Sequence, residues 1–574
     1  MHPVVRAQMQ QFQAANPVEG LKEEDYFELY TIFSLLNGRR NDNVDPFLVH
    51  LEGSEFGVDG CAITIQGEIV ADSDAAEAAM ADHNEGRIAF TFIQAKRSEG
   101  YDYGEMSKFF DAVFGFFTGS MDGESEQLDD LIAAKDTVFK SALRKNPDLF
   151  CYFASTGKYE NVDRIEKLIA ANRARLEDVS LFDRVHIEII GARELQVAYR
   201  GATSANSREI EFSQNKTMPT HPNVDQAFIG FIEASQLLKL ATNFVDDEEE
   251  LAINQAVFFD NIRDFDANSS INKNIIKEIQ GGDTDGFVFK NNGVTVVAKH
   301  INRTGDRFRI EDYQIVNGCQ TSNILFQAKE SIDGINIPFR LIGSRNDEFI
   351  TSIIIGTNSQ NIVREEQFWA LKPFMKDLEE YFGQQSGDLK LHLERRENQY
   401  RNEAIERTRI VKPSELMKAV AATYLFQPHR AARDFRGIRK EFSDKLFLEG
   451  HSVRPYHAAS YAAYRFDYLV RNKRLPRRMN IYKFYALSSL GYTNTSGKDL
   501  FSAKSNAIAS ACDSIISTAS EESTFTSFCE AAAEKVEKLL ELRVGAVSTT
   551  SRERIRDALR SETFASDFHK NLAS

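Results

Sequence analysis

Four side chains in the first hundred residues have types and spacing suited to work on a phosphodiester: Glu28, Asp59, Gln94 and Lys96. Gly57-Val58-Asp59-Gly60 opens one alternating apolar run, and Gln94-Ala95-Lys96 closes another. Side chains alternate along a strand, so Gln94 and Lys96 share a face and Ala95 offers its carbonyl beside them. With the two strands adjacent, Asp59 joins the group. One carboxylate, an amide oxygen and a carbonyl make the oxygen-rich environment that Mg2+ takes, with Mn2+ as its substitute. Lys96 would orient the attacking water and help to deprotonate it. Glu28, on an upstream helix, would add a carboxylate directly or through water, giving an expected metal set of Asp59, Gln94, Ala95 and Glu28. Taken singly, these are ordinary features: Gly-x-Asp-Gly is a common turn, and a lysine ending a strand is a common solvated charge. Glu28 also follows Glu23, Glu24 and Asp25, acids that a helix N-terminus favours in any case. Because a cation would stabilise the Asp59 charge, loss of Asp59 is expected to abolish cleavage and leave stability largely intact.

A second group is rich in amides: Asn291-Asn292-Gly293, Asn317-Gly318-Cys319-Gln320-Thr321-Ser322-Asn323 and Thr357-Asn358-Ser359-Gln360-Asn361. Uncharged amides offer donors and acceptors without acid–base capacity, which suits recognition of a base edge, sugar or phosphate. The expected ligand contacts are Asn291, Asn292, Asn317, Gln320, Thr321, Ser322, Asn358, Gln360 and Asn361. Thr321 and Ser322 fall where a strand turns into a helix, a place where an anion can be cradled. The competing reading is that Asn-Gly turns and Ser/Thr caps are local folding devices. Farther on, Arg465, Arg471, Lys473, Arg474, Arg477 and Arg478 interleave with Tyr468, Tyr482 and Tyr485. Arg474, Arg477 and Arg478 are candidate phosphate contacts, with the tyrosines available for base stacking; the alternative is a solvated helix face.

The elements that must position these groups follow from periodicity. Leu21 to Asn37 reads as a helix, Cys61 to Ile65 and Ile69 to Val70 as a hairpin, and Ile88 to Lys96 as a strand. Helices over Tyr103 to Phe117, Glu126 to Arg144 and Val162 to Leu176 alternate with strands at Leu149 to Ala154 and Val185 to Ile190, an α/β order. Phe287 to Phe289 and Val294 to Ala298 are expected to pair across Asn291-Asn292-Gly293; Phe308 to Val316 is a further strand, and the chain beyond Ser414 is mainly helical. The predicted organisation is a tail over 1–20, an α/β domain over 21–200, a polar and acidic linker over 201–250, a core over 251–425 and a helical region over 426–574.

The 574 residues suit two to four folding units at ~150 residues each. Hydrophobic residues at 42% and charged residues at 27% exclude a disordered acidic tail, and the net charge of −16 excludes a generally basic surface while permitting a local basic groove. Five scattered cysteines without a Cys-x-x-Cys pair argue against structural zinc and a disulfide framework. No apolar leader or spanning run is visible, so a cytoplasmic protein without membrane contact is expected. No Gly-x-x-x-x-Gly-Lys-Ser/Thr loop is present, which disfavours an ordinary NTPase.

The helix with Phe27-Glu28-Leu29, Gly57-Val58-Asp59-Gly60 and Ile93-Gln94-Ala95-Lys96 resembles the PD-(D/E)XK, restriction-endonuclease-like nucleases, in particular the branch related to type IV restriction enzymes. That resemblance implies an αβββαβ domain and a metal-dependent nuclease with Asp59, Gln94 and Lys96 in the catalytic positions and Glu28 in the helix position. Gln94 is a neutral amide where the wider superfamily has an acid. Phe258-Phe259-Asp260-Asn261-Ile262-Arg263, Ile315 to Asn323 and Gly356 to Asn361 resemble the AIPR (abortive infection phage resistance) family, with similarity from about Asn254 to Leu425. This implies antiphage defence with a phage-derived trigger and an α+β AIPR domain ending in helices; the nuclease reading adds nucleic acid as partner, DNA ahead of RNA, and a homodimer that could cut two strands. Two alternatives stay open: a non-catalytic sensor on a degenerate nuclease fold, and a nucleotide-binding or nucleotide-hydrolysing enzyme centred on 317–323.

Overall fold

The structure is a computed structural model of the chain. It describes residues 1–573 except 41, 43, 52–56, 66, 83–87, 120–124, 142–145, 161, 204–205, 246–249, 255–256, 259–269, 283, 285, 359–371, 396–398, 401–402, 404, 432–434, 443–444, 499–500, 502–504 and 548–549. The chain forms two compact units. The first comprises Met1–Phe33, Asp42–Gln196 and Lys372–Ser574; the second comprises Ser34–Asn41 and Val197–Leu371.

In the first unit, the opening residues form helix α1 (Pro3–Ala15), not a tail. Its apolar residues recur at helical spacing, and Val5, Met9 and Phe12 are buried. Phe12 packs on Phe33 and Tyr30 of helix α2 (Glu23–Phe33), whose first turn holds Glu23, Glu24 and Asp25 where the helix dipole favours them. A short helix α3 (Pro46–Val49), capped by the Asp45 carboxylate, ends at His50.

Five strands follow: β1 (Gly60–Ile65), β2 (Glu68–Ile69), β3 (Ile88–Lys96), β4 (Asp148–Ser155) and β5 (Arg184–Ile190). Their order in the sheet is β2-β1-β3-β4-β5; β1 runs antiparallel to both neighbours, and β3, β4 and β5 run parallel. Helix α4 (Ser73–Asp82) is inserted between β2 and β3. Parallel neighbours need crossovers. Helices α5 (Tyr103–Thr118) and α6 (Glu126–Lys140) supply the first, and α7 (Asp163–Glu177) the second. Every residue of β3 is buried except Lys96, at its end, because helices cover both faces. On one face Phe90 meets Phe117 and Phe92 meets Phe116 of α5. The C-terminal part of this unit is mainly helical, including Arg454–Arg471, Lys483–Thr495, Ser505–Ser520, Glu522–Val544, Arg552–Leu559 and Glu562–Ala573.

The second unit holds a six-stranded sheet. Its strands are β6 (Ser207–Glu211), β7 (Gln214–Thr217), β8 (Gln226–Glu233), β9 (Val294–Thr304), β10 (Arg307–Asn317) and β11 (Asn336–Gly343), in the order β6-β10-β9-β11-β8-β7. Two sequence expectations are corrected here. The stretch 201–250 read as a linker forms β6, β7 and β8, because Ile210, Phe212, Phe228 and Ile232 enter the core. Phe287–Lys290 is a short helix and not a strand. The hairpin partner of β9 is β10, and Gly293 (φ +83°) serves close packing, since a Cβ there would lie 2.7 Å from the Pro338 carbonyl oxygen.

Candidate functional site

Asp59 precedes β1 and its backbone N–H donates to the Ile93 carbonyl, which locks it beside the end of β3. Its Oδ2 accepts hydrogen bonds from Gln94 Nε2 and from the Ala95 N–H, both at 2.6 Å. Asp59 and Gln94 are each 1% exposed, and Gln94 Oε1 is buried without a hydrogen-bond partner among the described residues. Lys96, at the mouth of the strand, lies 3.3 Å from Glu105 of α5. Gln94 and Lys96 thus continue the face of β3 that carries Phe90 and Phe92 toward α5.

Glu28 is placed differently. His50 pairs across the backbone with Gly60, and Gly60 with Ile93, so these three share a face. That face is covered by α2: a Cβ on Gly60 would lie 2.8 Å from Ile32 Cδ1. On it Glu28 Oε2 sits 2.6 Å from His50 Nε2, and ligand atoms of Asp25, Glu28 and His50 all lie within 4.8 Å of one another. Gln127 fixes His50 from behind by donating to its carbonyl at 2.9 Å. The structure therefore brings Asp59, Gln94 and Ala95 together, sets Lys96 on the same strand face beside Glu105, and gives Glu28 to a separate cluster that could hold a cation through one imidazole and two carboxylates. Sequence reasoning missed His50; the only local signal was its position after an Asp-Pro helix start that could end beside a strand.

In the second unit the amide-rich segments are used largely by the backbone. Asn317 ends β10 opposite Thr295, and Gly318 takes a left-handed φ of +112° before helix Cys319–Gln327. Ser322 Oγ donates back to the Gly318 carbonyl at 3.0 Å, and Asn323 Nδ2 to the Cys319 carbonyl at 2.9 Å. Asn291 bridges the segments: its Nδ2 donates to Thr321 Oγ1 at 2.8 Å while its Oδ1 accepts from the Gly293 N–H at 2.7 Å. The expected anion cradle is thus corrected, since Thr321 and Ser322 are buried and bonded within the protein. Asn292 and Gln320 are exposed. Asn358 ends helix Asp347–Asn358, and Gln360 and Asn361 lie outside the described residues, as do Phe259 to Arg263. Burial pushes the Cys319 thiol up to about 11, which disfavours a thiolate nucleophile there.

The basic stretch is also partly committed. Arg465 is buried and donates to the Ala519 carbonyl, and Arg474 pairs with Glu19 and Glu522. Arg477 and Arg478 are exposed. Tyr482 and Tyr485 are each 2% exposed, which corrects their expected use as a stacking platform.

Among the described residues, no helix is long and apolar enough to cross a membrane. No curated protein and no solved structure gives a significant match to the chain. Residues 258–543 match the family model described as AIPR protein, a stretch that runs from the second unit into the first. Over residues 258–543, the chain is similar to the AIPR family.

Proposed function

We propose that this is an antiphage defence protein of the abortive-infection kind, in which the N-terminal α/β sheet carries a metal-dependent nuclease site and the AIPR region recognises the trigger. The defence reading rests on the family match over residues 258–543. The nuclease reading rests on one observation: the orphaned, buried Gln94 Oε1 lies beside the Asp59 carboxylate on the strand face that ends in Lys96. Stranding a buried acceptor costs about 1–3 kcal/mol, and a cation taking Gln94 Oε1 as a ligand would remove that cost. The donor set fits Mg2+ or Mn2+, hard ions served by one or two carboxylates and neutral oxygens. A cation held there supplies Lewis-acid stabilisation of charge building on the phosphate. Asp59 and Gln94 would hold it, while Lys96, steadied by Glu105, would position the attacking water and offset the developing negative charge. The Asp25–Glu28–His50 cluster lies on the α2 face and is assigned no step. The substrate is nucleic acid, DNA ahead of RNA.

The test is incubation of the purified chain with plasmid, linear DNA and RNA in Mg2+, Mn2+ or EDTA, with and without phage lysate, beside Lys96→Ala. Cutting that EDTA stops and Lys96→Ala abolishes supports the nuclease. A second reading, a binding protein on a nuclease-like scaffold, draws support from the hydrogen bond that Gln94 Nε2 already donates to Asp59 in a site almost closed to water. Absence of cutting in every condition, lysate included, would favour it.

A further inference from the structure

The helix Arg552–Leu559 lies beyond the AIPR match and carries Arg552 and Arg556, with Arg560 at its C-cap. A spacing of four keeps the three guanidinium groups along one side, over roughly 12 Å of helix. All three reach acids on α4 and α6. Arg552 Nη1 donates to the Glu126 carbonyl at 2.6 Å and to Asp130 Oδ1 at 3.1 Å, and its Nη2 lies 3.6 Å from Glu126 Oε2. Arg556 donates to Ser73 Oγ at 3.1 Å and to Asp130. Arg560 pairs with Asp74 and lies 3.7 Å from Glu77 Oε2. Asp130 therefore anchors two arginines at once, with burial pushing its carboxyl up and those arginines opposing the shift. Beneath the ladder Ile555 and Leu559 are buried, so the helix is seated by apolar contact and oriented by charge.

The position of α4 gives this contact its meaning. It is the excursion between β2 and β3, spliced into the chain between Asp59 and Gln94, and α6 packs beside it and against β1. We propose that Arg552, Arg556 and Arg560 form an ionic latch by which the C-terminal helices hold the α4 excursion against α6 and restrain the hairpin bearing the candidate site. The side chains of Arg552, Arg556, Arg560, Asp130 and Asp74 are largely covered, 10–29% exposed, so salt screens these pairs only weakly. The latch is therefore opened by removing its charges rather than by ionic strength, while the apolar seat keeps the helical region folded. Its consequence for cleavage rests on the nuclease reading; the latch itself does not.

The test is amide hydrogen exchange of the full chain, followed by mass spectrometry. Arg552→Gln/Arg556→Gln/Arg560→Gln should raise exchange in residues 73–82 by roughly tenfold or more, with β3, β4 and β5 still protected. Asp130→Asn, which keeps volume and removes the shared anchor, should do the same to a smaller degree; Arg556→Lys should retain most of the protection. Unchanged exchange in residues 73–82 of the triple variant overturns the latch, and so does a rise spread equally over the sheet, which would report general destabilisation. Where the wild type cleaves, the triple variant should cleave faster; where it does not cleave, the exchange result still decides.

Discussion

Asp59→Ala is the substitution whose consequence the structure changes most. A metal site alone would suggest that removing the carboxylate relieves repulsion or leaves stability untouched. Instead, Asp59 Oδ2 is the acceptor for two buried donors, Gln94 Nε2 and the Ala95 N–H, each at 2.6 Å. Alanine strands both in a place that is 1% exposed at Asp59 and at Gln94. Each stranded donor costs about 1–3 kcal/mol, so the variant should weaken the β1–β3 pairing by about 2–6 kcal/mol. Asp59→Asn keeps one acceptor oxygen and should lose about half as much. Lys96→Ala breaks only a half-exposed pair with Glu105, worth about 0–1 kcal/mol, and so separates chemistry from folding where Asp59→Ala does not. Native-state hydrogen exchange over residues 88–97 reads the difference: at 1.4 kcal/mol per decade, the Asp59→Ala strand should exchange at least roughly thirtyfold faster than wild type. Exchange indistinguishable from wild type would refute the reasoning, because it would mean that the two donors found other acceptors.

Stability should fall in acid through His457 and His569, whose folded pKa values burial lowers to about 4 from 6.5. The unfolded chain takes up these protons first, so their contribution is complete above pH 6.5 and is lost between there and pH 4, by about 3 kcal/mol for the fully buried His457 and less for the partly covered His569; melting temperatures of wild type and His457→Phe across that range should diverge, and parallel curves would count against it. Gly318→Ala forces a side chain into φ +112° with its Cβ 2.5 Å from Val294 Cγ2, so exchange at residues 294–298 should speed up by an amount matching about 1–3 kcal/mol of backbone strain; a neutral result would show that β9 shifts freely. Replacing Arg474, Arg477 and Arg478 together should lessen the slope of log affinity against log salt for duplex DNA by about 0.9 for each phosphate no longer neutralised, with Arg474 contributing least because Glu19 and Glu522 already hold it. An unchanged slope would assign the three to solvation of the helix.

Much of the local architecture was legible in residue order. Period-two alternation placed β1, β3, β4 and β5, and the helical spacing after Ser414 announced the C-terminal helices. Their ends were less legible: the helix expected to run to Arg144 stops at Lys140. The amphipathic spacing of Val5, Met9 and Phe12 was present yet unread, and α1 shows its meaning only against α2. Ile210 and Phe212, inside the supposed linker, were the signal for β6.

By itself the sequence determined that Gln94 and Lys96 share one side of a strand, since alternation is a property of the backbone. It also carried the ordered run of AIPR-like residues, which is a matter of residue identity alone. Only the tertiary structure decided that Asp59 meets that strand end while Glu28 turns to His50, 22 residues away, on the opposite face. It likewise decided that Arg556 answers Asp130 across 426 residues and that Arg474 is held by Glu19 and Glu522. Periodicity gives the direction of a side chain relative to its own backbone; its partner depends on how whole elements pack to bury their apolar faces, and that is set by contacts far apart in sequence.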